Sequence, residues 1–286
     1  MTYDDAPAVE RLTATAFYQL SLTTNPANWP PPQLRSGDRA SRWAERLRHL
    51  LDHDAPGCWV VEQEGAVVGC SVALLREGMW GLSSLAVHPD TQGRGLGRQL
   101  LEAALTHGPW SAGLICSSSD PKAIRRYRLA GFEIHPTMLM WGRVRREAIP
   151  ALPGLRDGTV ADIDLLDDID RSARGFAHGI DHEILVRQLP LLVTEDGSSR
   201  GYAYVMPGGS PYLVAATDHA AAQVVLWGAL AFSTPDVPID FSEVTSHQTW
   251  AVDLGLSAGL ELHNYGYLAV REMAVPTPYL PCGHFL

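Results

Sequence analysis

Apolar side chains in the first half of the chain follow helical spacing at first and strand spacing afterwards. Residues 5–20 and 38–52 carry apolar positions three and four apart, which predicts two amphipathic helices. Residues 58–87 form shorter apolar stretches, interrupted at Glu64-Gly65 and Glu77-Gly78, which predicts three strands joined by tight turns. The elements predicted next are a helix after Gly97, a strand at 113–119, a helix at 121–130 and a strand at 132–142.

The second half of the chain repeats this order of elements after a linker at 143–158. The elements predicted there are a helix at 159–172, strands at 189–195, 200–206 and 210–216, a helix at 220–232, a strand at 237–244, a helix at 247–260 and a strand at 265–273. A repeat of roughly 135 residues is too long for a solenoid and indicates a duplicated domain. We therefore predict two tandem domains, residues 1–146 and 147–286.

A proline-rich stretch at 21–37 separates the first two helices. It contains Pro26, Pro30, Pro31 and Pro32, and proline both removes an amide donor and clashes with the preceding helical turn. The stretch is therefore predicted to be an irregular loop, and long loops often carry function. Trp29 within it either packs the loop or forms a wall of an acceptor pocket.

The composition excludes several classes of protein. Hydrophobic residues make up 46% of the 286 residues, but no apolar run reaches the ~18 residues that a membrane helix needs. The N-terminus lacks the basic and apolar segments of a signal peptide. The four cysteines form no CxxC pair, which favours reduced thiols. We predict a cytoplasmic protein with no membrane partner.

The two halves differ in charge. Residues 1–149 contain 16 Arg or Lys against 15 Asp or Glu, whereas residues 150–286 contain 6 against 17, so the net charges are +1 and −11. Nucleic-acid binding needs clustered cations, so we predict no nucleic-acid partner. The acidic half fits a cationic acceptor, although acidity also serves solubility.

A glycine-rich turn at Gln92–Gly97 lies between a predicted strand and a predicted amphipathic helix. Such a turn points consecutive backbone N–H groups outward at the positive end of the helix dipole, and glycine lets an anion approach closely. The glycines do not follow GxxxxGK[ST], and Leu100 occupies the last glycine position of a dinucleotide fingerprint. The turn indicates a phosphate-bearing ligand of another class, or else a purely structural turn.

Two motifs decide between these readings. The run LAVHPDTQGRGLGRQLLEAAL resembles the signature of the GNAT superfamily of acetyl-coenzyme A-dependent N-acetyltransferases, whose [QR]-x-x-G-x-[GA] pattern is met by Gln92, Gly95 and Gly97. Downstream, residues 120–132 resemble the family pattern N-x-x-A-x-x-x-Y-x-x-x-G-F. The resemblance is specific over about 4–145. It implies an α/β (α+β) fold of two tandem GNAT-like domains, each with a mixed, mostly antiparallel sheet flanked by helices.

The same resemblance implies where coenzyme A binds. The amides of residues 93–97 would hold its pyrophosphate, and the backbone of Leu85 and Val87 would pair with its pantetheine arm like an added strand. Arg94 would either contact phosphate or remain solvated. Asp120 replaces the usual asparagine but keeps a good helix cap. The predicted cofactor-binding residues are Leu85, Ala86, Val87, Gln92, Gly93, Arg94, Gly95, Leu96, Gly97, Arg98, Asp120, Ala123 and Tyr127.

Acetyl transfer needs a neutral amine, a stabilised oxyanion and a protonated leaving thiolate. The resemblance implies a backbone N–H near Leu85–Val87 for the oxyanion and Tyr127 as the acid. Relatives often carry a glutamate on the strand before the loop, but this chain has Ser83 and Ser84 there. The base could be water held by either serine, Glu77 or a residue of the second half, or the site could select an amine that is already neutral.

The second half is predicted to have lost its site. Its strand-to-helix junction at 215–225 contains no glycine, so side chains would block a pyrophosphate. Structural support, a dimer contact or one wall of the acceptor cleft are the roles left to it. His178 and His182 are four residues apart and are followed by Glu183, but no third ligand is evident, and we predict no metal. The apolar tail PTPYLPCGHFL is predicted to pack on a domain or a partner.

The function predicted from these observations is an N-acetyltransferase with one active site in the first half. Acetyl-coenzyme A would be the donor, and a primary amine would attack it directly through a tetrahedral intermediate. The alternative is a non-catalytic acyl-coenzyme A-binding sensor. A small amine, an aminoglycoside-like compound, an amino acid and a protein N-terminus all remain open as acceptors. The protein is expected to be a monomer or a homodimer.

Overall fold

A computed structural model of the chain describes residues 1–25 and 31–286, so the predicted role of Trp29 lies outside the described residues. The described helices are α1 (Ala6–Thr24), α2 (Gly37–Asp54), α3 (Leu96–Ala104), α4 (Pro121–Leu129), α5 (Ile163–Arg174), α6 (Asp181–Gln188), α7 (His219–Ala231) and α8 (Thr249–Ser257). The described strands are β1 (Cys58–Gln63), β2 (Ala66–Arg76), β3 (Met79–Val87), β4 (Ala112–Ser117), β5 (Glu133–Gly142), β6 (Leu155–Asp157), β7 (Leu191–Asp196), β8 (Ser199–Val205), β9 (Pro211–Ala216), β10 (Ile239–Val244), β11 (Glu261–Arg271) and β12 (Tyr279–Leu280).

The predicted elements of the first half are confirmed to within a few residues. The predicted face of α2, with Trp43, Leu47, Leu50 and Leu51, is buried in the core. Three elements were not predicted. Strand β6 lies inside the expected linker, and α6 and β12 lie in segments to which no helix or strand was assigned. These three are short, and none shows a regular apolar period of its own, so local pattern could not reveal them.

The first sheet has seven strands in the order β1-β2-β3-β4-β11-β5-β10. Its pairs are antiparallel except β3 and β4, which run parallel and pair only from Met79 to Gly81 against Ala112 to Leu114. Beyond Gly81 the two strands diverge. From there to their C-terminal ends, β3 and β4 do not hydrogen-bond to each other.

Both halves of the chain contribute strands to this sheet. Strand β11 of the second half lies between β4 and β5 of the first, and β5 lies between β10 and β11 of the second. The two halves therefore exchange strands reciprocally, and neither completes its sheet without the other. The two-domain division at residue 146 remains a prediction about the sequence, and the sheet runs across it.

The second sheet, β12-β9-β8-β7-β6, contains strands of the second half. Its edge strand β12 pairs antiparallel with β9, with Tyr279 opposite Ala215 and Leu280 opposite Val214. The tail beyond β12 is buried, and Leu286 packs so closely over Gly81 that a Cβ there would lie 2.4 Å from Leu286 Cδ1. The expectation that the tail packs on a domain is confirmed.

A buried ionic cluster also joins the halves. The guanidinium of Arg76, on β2, lies 2.8 Å from Asp54 and 2.7 Å from Asp181, which begins α6. His49 on α2 lies 2.6 Å from the same Asp181 carboxylate. Each charge in a buried pair depends on its partner, so removing one member typically costs about 3–5 kcal/mol. The cluster fixes α2 and β2 against α6.

Within residues 1–25 and 31–286, no helix combines the length and the apolar composition that a bilayer crossing requires.

Candidate active site

A groove of about 1200 Å³ opens where β3 and β4 diverge. It runs from the turn before α3, along the free edges of the two strands, to a far end lined by α1, α2 and residues of the second half. The predicted site residues that line it are Ser83, Ser84, Leu85, Ala86, Val87, Gln92, Gly93, Gly95, Leu96, Gly97, Arg98, Asp120, Ala123 and Tyr127. The structure therefore brings all but one of the predicted site residues to a single cavity.

The turn before α3 presents its main chain to the groove. Gly93 and Gly95 have φ angles of 82° and 83°, a left-handed conformation that favours glycine, and the space where a Cβ would project is open at both. In the described part of the chain, none of the five amides from Gly93 to Gly97 donates a hydrogen bond to another residue. Free donors at a helix N-terminus are suited to binding an anion.

The cation that lies against this turn is not the side chain of Arg94. That side chain is exposed and does not line the groove, and the assignment of Arg94 as a cofactor-binding residue stays a prediction. Instead the guanidinium of Arg126, on α4, lies against Gly97, where a Cβ would be 2.9 Å from its Cζ. Lys122 reaches the same turn and donates to Gln92 Oε1 at 3.3 Å. Arg126 and Lys122 were missed, although both lie within the second motif beside Tyr127.

The edge of β3 is suited to pairing with an extended ligand. The N–H of His88 donates to Val68 O on the β2 side at 2.8 Å. Since main-chain N–H groups alternate sides along a strand, those of Val87 and Leu85 point to the groove side. Gln92 Nε2 donates to Val87 O at 3.2 Å and thereby ties the turn to the strand.

Helix α4 positions the predicted acid. Asp120 caps the helix by accepting from the N–H of Lys122 at 2.9 Å, and Pro121 occupies a position that needs no donor. Tyr127 lies on the groove-facing side and is 5% exposed. Burial raises the pKa of Tyr127 to about 12, so its hydroxyl stays protonated across the neutral range. An ordinary tyrosine has a pKa near 10, so the buried hydroxyl of Tyr127 is a weaker acid than an exposed one.

The candidate bases of the first half, which are Glu77, Ser83 and Ser84, differ in whether they lie at the groove. Glu77 is turned away from the groove: it pairs with Arg171 at 2.7 Å and accepts from the N–H of Ala177 at 2.8 Å, and these bonds lower its pKa. Its candidacy as the base is therefore wrong. Ser83 and Ser84 are buried at the groove, and Ser83 Oγ has no hydrogen-bond partner among the described residues. Neither serine has a carboxylate or histidine bonded to it within the described chain.

Residues of the second half form the far end of the groove: Glu243, Tyr265, Gly283 and His284. Burial raises the pKa of Glu243 to about 8. A base from the second half was left open in sequence terms, and its identity was not predicted. The predicted strand 237–244 contains two carboxylates, Asp240 and Glu243, and sequence alone does not distinguish them.

Two arginines on the α1–α2 side line the same end. Arg35 pairs with Glu10 at 2.8 Å and stacks on Trp43, with its Cζ 4.6 Å from the ring centre. Arg46 also lies over Trp43, at 5.5 Å. Sequence reasoning missed Arg46 because its spacing on a charged helix resembles an ordinary solvated face. It missed Arg35 because this residue lies in the irregular segment before α2.

The corresponding junction in the second half is closed. Asp218 caps α7 by accepting from the N–H of Ala221 at 2.9 Å, and Thr217 donates its own N–H to Arg200 O. Strand β12 covers the edge of β9 near that junction. This junction contains no glycine, and its helix begins with a side-chain cap where α3 begins with free amides.

The histidines considered as metal ligands have a third group beside them. Asp170 lies with His178 and His182, and the ligand atoms are within 4.8 Å of one another, which corrects the expectation that no third ligand exists. Asp170 Oδ2 is 2.6 Å from His178 Nδ1 and 3.0 Å from His182 Nε2, and Tyr202 donates to Asp170 Oδ1 at 2.5 Å. The cluster is a buried hydrogen-bond network, and the absence of a metal stays a prediction.

Comparison with known proteins agrees with this geometry. Residues 14–132 match the acetyltransferase (GNAT) family. Among curated protein sequences, none matches the chain. The first half of the chain therefore contains a region that is similar to this family.

Solved structures extend the likeness of fold to the whole chain. A Pyrococcus horikoshii protein assigned as an acetyltransferase superposes with a TM-score of 0.74 at 17% identity, covering 100% of this chain and 93% of its own. A GCN5-related N-acetyltransferase from Sphaerobacter thermophilus gives 0.56 at 17%, covering 95% and 93%. A tandem GNAT protein from the clavulanic acid biosynthesis pathway gives 0.55 at 14%, covering 96% of each chain. The molecule has a tandem GNAT fold.

Proposed function

We propose that this protein transfers an acetyl group from acetyl-coenzyme A to a primary amine at one site, the groove of the first half. The observation that carries the proposal is the row of five free amides from Gly93 to Gly97 at the mouth of a groove that continues along open strand edges. A diphosphate fits the open space beside Gly93 and Gly95, and Arg126 and Lys122 supply positive charge there.

The strand edges suit the rest of the donor. An extended pantetheine arm would accept and donate along the main chain of Leu85 and Val87, as a peptide does in strand addition. This pairing would place the thioester in the gap between β3 and β4, beside Ile115 and Tyr127, which both line the groove. The apolar walls of the gap exclude water from a reactive ester.

The reaction requires two proton movements and one exchange of bonds. The amine nitrogen attacks the thioester carbon, a C–N bond forms, and the C–S bond breaks. A backbone N–H of Leu85 or Val87 would stabilise the oxyanion, since both point into the groove. The Tyr127 hydroxyl would give its proton to the departing thiolate and regain one from solvent. Its raised pKa keeps that proton in place until the thiolate forms.

Release of free thiol from acetyl-coenzyme A, measured over a panel of amines, tests the proposal. Tyr127→Phe should lower kcat by about 10²-fold, which is the low end of general-acid contributions, and leave coenzyme A affinity near the wild-type value. Tyr18→Phe, on α1 and outside the groove lining, serves as the control.

Tight binding of acetyl-coenzyme A without turnover of any amine would instead support the sensor. An unchanged kcat in Tyr127→Phe would remove the tyrosine from the mechanism but leave the transferase intact.

A further inference from the structure

We propose that Glu243, contributed by the second half of the chain, is the general base that takes the proton from the acceptor amine. The inference rests on the proposed function and names a residue for its missing step. In the described chain, Glu243 is the carboxylate that is both buried and part of the inner lining of the groove; Glu102 and Asp120, which also line it, are exposed or half-buried near the coenzyme A end.

The exchange of strands brings Glu243 to this place. It lies on β10, which pairs with β5, and the register of that pair shifts between Phe241 and Val244. Within this bulge Glu243 has a φ of 62°, which is costly for a residue other than glycine. A strained backbone that aims one side chain at a groove is typical of functional positions.

The carboxyl group is desolvated and incompletely bonded. Glu243 is 6% exposed, and its Oε2 has no hydrogen-bond partner among the described residues. Thr137 on β5 provides its hydrogen bond. A buried acceptor oxygen left free costs about 1–3 kcal/mol, and a bound ligand donor such as an amine would satisfy it.

The groups around Glu243 do not compete for the proton near neutral pH. Burial and Glu243 itself raise the pKa of Cys116 on β4. Desolvation of the hydroxyl and Glu243 raise the pKa of Tyr265 on β11, although this residue is 39% exposed. Desolvation also raises the pKa of the Asp240 carboxyl on β10, although this residue too is exposed to solvent. The tail contributes two more groups: burial raises the pKa of Cys282 and lowers that of His284. Of these neighbours, the two thiols, the phenol and the imidazole are therefore neutral around pH 7.

The proton balance follows from this arrangement. The ionised carboxylate of Glu243 accepts the proton that the amine loses as the C–N bond forms, and the neutral carboxyl later returns it to water along the groove. Because burial raises its pKa to about 8, Glu243 is a stronger base than an exposed glutamate. Glu243 and Tyr127 thus take opposite roles, one accepting a proton and one donating it.

Replacement of the base tests this role. Glu243→Gln should lower kcat/KM by 10²- to 10⁴-fold, which is the usual contribution of general base catalysis, with coenzyme A affinity unchanged. The ionisation of the acceptor amine affects the kcat/KM of the wild type and of the variant equally. Dividing one kcat/KM by the other therefore removes the acceptor's contribution to the pH dependence. This ratio should rise with pH and level off above about 8, where Glu243 is ionised. Glu243→Asp should keep this pH dependence at a lower rate.

Glu261→Gln, an exposed carboxylate on β11, is the matched control and should behave as wild type. If wild-type protein turns over and Glu243→Gln keeps kcat/KM within twofold at every pH, the assignment of Glu243 is wrong and the transferase stands. If folded wild-type protein turns over no amine, the proposed function fails, and this inference fails with it.

A separate observation concerns the acceptor itself, and from it we infer that the acceptor amine carries a carboxylate. Arg46, on α2, is 7% exposed at the groove, and no carboxylate of a described residue lies within ion-pair distance of it. Arg35 provides the contrast, because Glu10 neutralises it at 2.8 Å. Burial lowers the pKa of Arg46 to about 10, which leaves it charged at neutral pH.

Tyr212 hydrogen-bonds to Arg46 and the Trp43 ring lies beside its guanidinium, but neither of these partners carries a negative charge near pH 7. A buried cation without a counter-charge is unfavourable, so Arg46 is suited to a ligand anion. Guanidinium binds carboxylate in a bidentate geometry that also orients the ligand. Glu243 lines the same end of the groove, so the two residues would hold the opposite charges of one small molecule. Amino acids are the class of amines with that pattern. The inference again rests on the proposed function.

Matched acceptors test this specificity. Wild-type protein should acetylate amino acids with a kcat/KM about 10- to 100-fold above that of the same amino acids with their carboxylates amidated. Arg46→Met should remove this preference and leave coenzyme A affinity unchanged, and Arg48→Met, exposed on the same helix, should keep the preference.

Equal rates for acids and amides in wild-type protein that turns over amines would overturn the inference. So would a loss of coenzyme A affinity in Arg46→Met with the preference intact, because the anion would then belong to the donor.

Discussion

The two strand-to-helix junctions of this molecule occupy equivalent places in the tandem fold and differ in how their helices begin. Helix α3 starts after Gly95, has no side-chain cap, and leaves five amides free toward the groove. Helix α7 starts after Asp218, whose carboxylate accepts from the N–H of Ala221. The same turn thus leaves its amides free for an anion in one half and carries a side-chain cap in the other.

The strands that lead into these helices, β3 and β9, differ in whether their edges are open to a ligand. The end of β3 is open to the groove, because β4 pairs with it only as far as Gly81. The end of β9 is covered by β12, the chain's own segment Tyr279–Leu280. The second half therefore fills with its own backbone the edge that the first half offers to a ligand.

The proposal implies that a duplicated half can lose its own cofactor site and still serve its neighbour. The reciprocal exchange of β5 and β11 fixes the halves together, and it brings Glu243 and the tail against the groove of the first half. On this account the first half binds the donor and the second half completes the acceptor end. Three substitutions test the two sides of the comparison.

The largest effect is expected at the open junction. Gly95→Val should reduce coenzyme A affinity by more than ~100-fold, because a β-branched side chain disfavours the φ of 83° and would stand where the phosphate fits. Isothermal titration measures this directly. Gly197→Val carries a similar backbone penalty, at a φ of 60° in the β7–β8 turn of the second half, and should bind coenzyme A like wild type. Equal affinities for the two variants would contradict the assignment of the turn.

A smaller effect is expected in stability at the acceptor end. Burial raises the folded-state pKa of Glu243 from 4.5 to about 8, so the folded protein holds a proton that the unfolded chain releases. Wild-type stability from this group is full below pH 4.5 and is lost as pH rises toward 8. Glu243→Gln removes that loss. Its stability relative to wild type should rise by about 2–4 kcal/mol between pH 4.5 and 8.

Chemical denaturation of both proteins across this range checks the prediction. The variant would then be more stable and less active, as expected where a strained, desolvated residue serves function. A difference in stability that does not change with pH would show that Glu243 does not titrate abnormally.

The smallest effect is expected at the closed junction. Asp218→Ala removes the cap of α7 and should lower the free energy of unfolding by about 1 kcal/mol. Coenzyme A binding should be unaffected, because β12 still covers the edge of β9. A second binding event appearing in this variant would show that the cap alone closes the second site.

The parts of this site that sequence could predict are those encoded locally. The turn Gln92–Gly97, the cap at Asp120 and the position of Tyr127 each depend on neighbours within a few residues. The resemblance of the 85–105 run to the family signature also predicted that the edge of β3 is open for pairing with a ligand. These features account for the donor end of the groove.

The acceptor end depends on contacts between distant segments, and local pattern carries little information about them. Glu243 reaches the groove because β10 pairs with β5 across the exchanged strands. Arg126 lies over the glycine-rich turn because α4 packs against Gly97, which no spacing rule encodes. The third member of the His178 cluster, Asp170, was missed because it lies on a different helix.

The central claim is that one half of the duplicated fold binds coenzyme A and the other does not. A calorimetric titration of the full chain with coenzyme A tests it most directly. The account predicts one equivalent bound, and no binding in Gly95→Val. Two equivalents in the wild type, or one equivalent that persists unchanged in Gly95→Val, would contradict it.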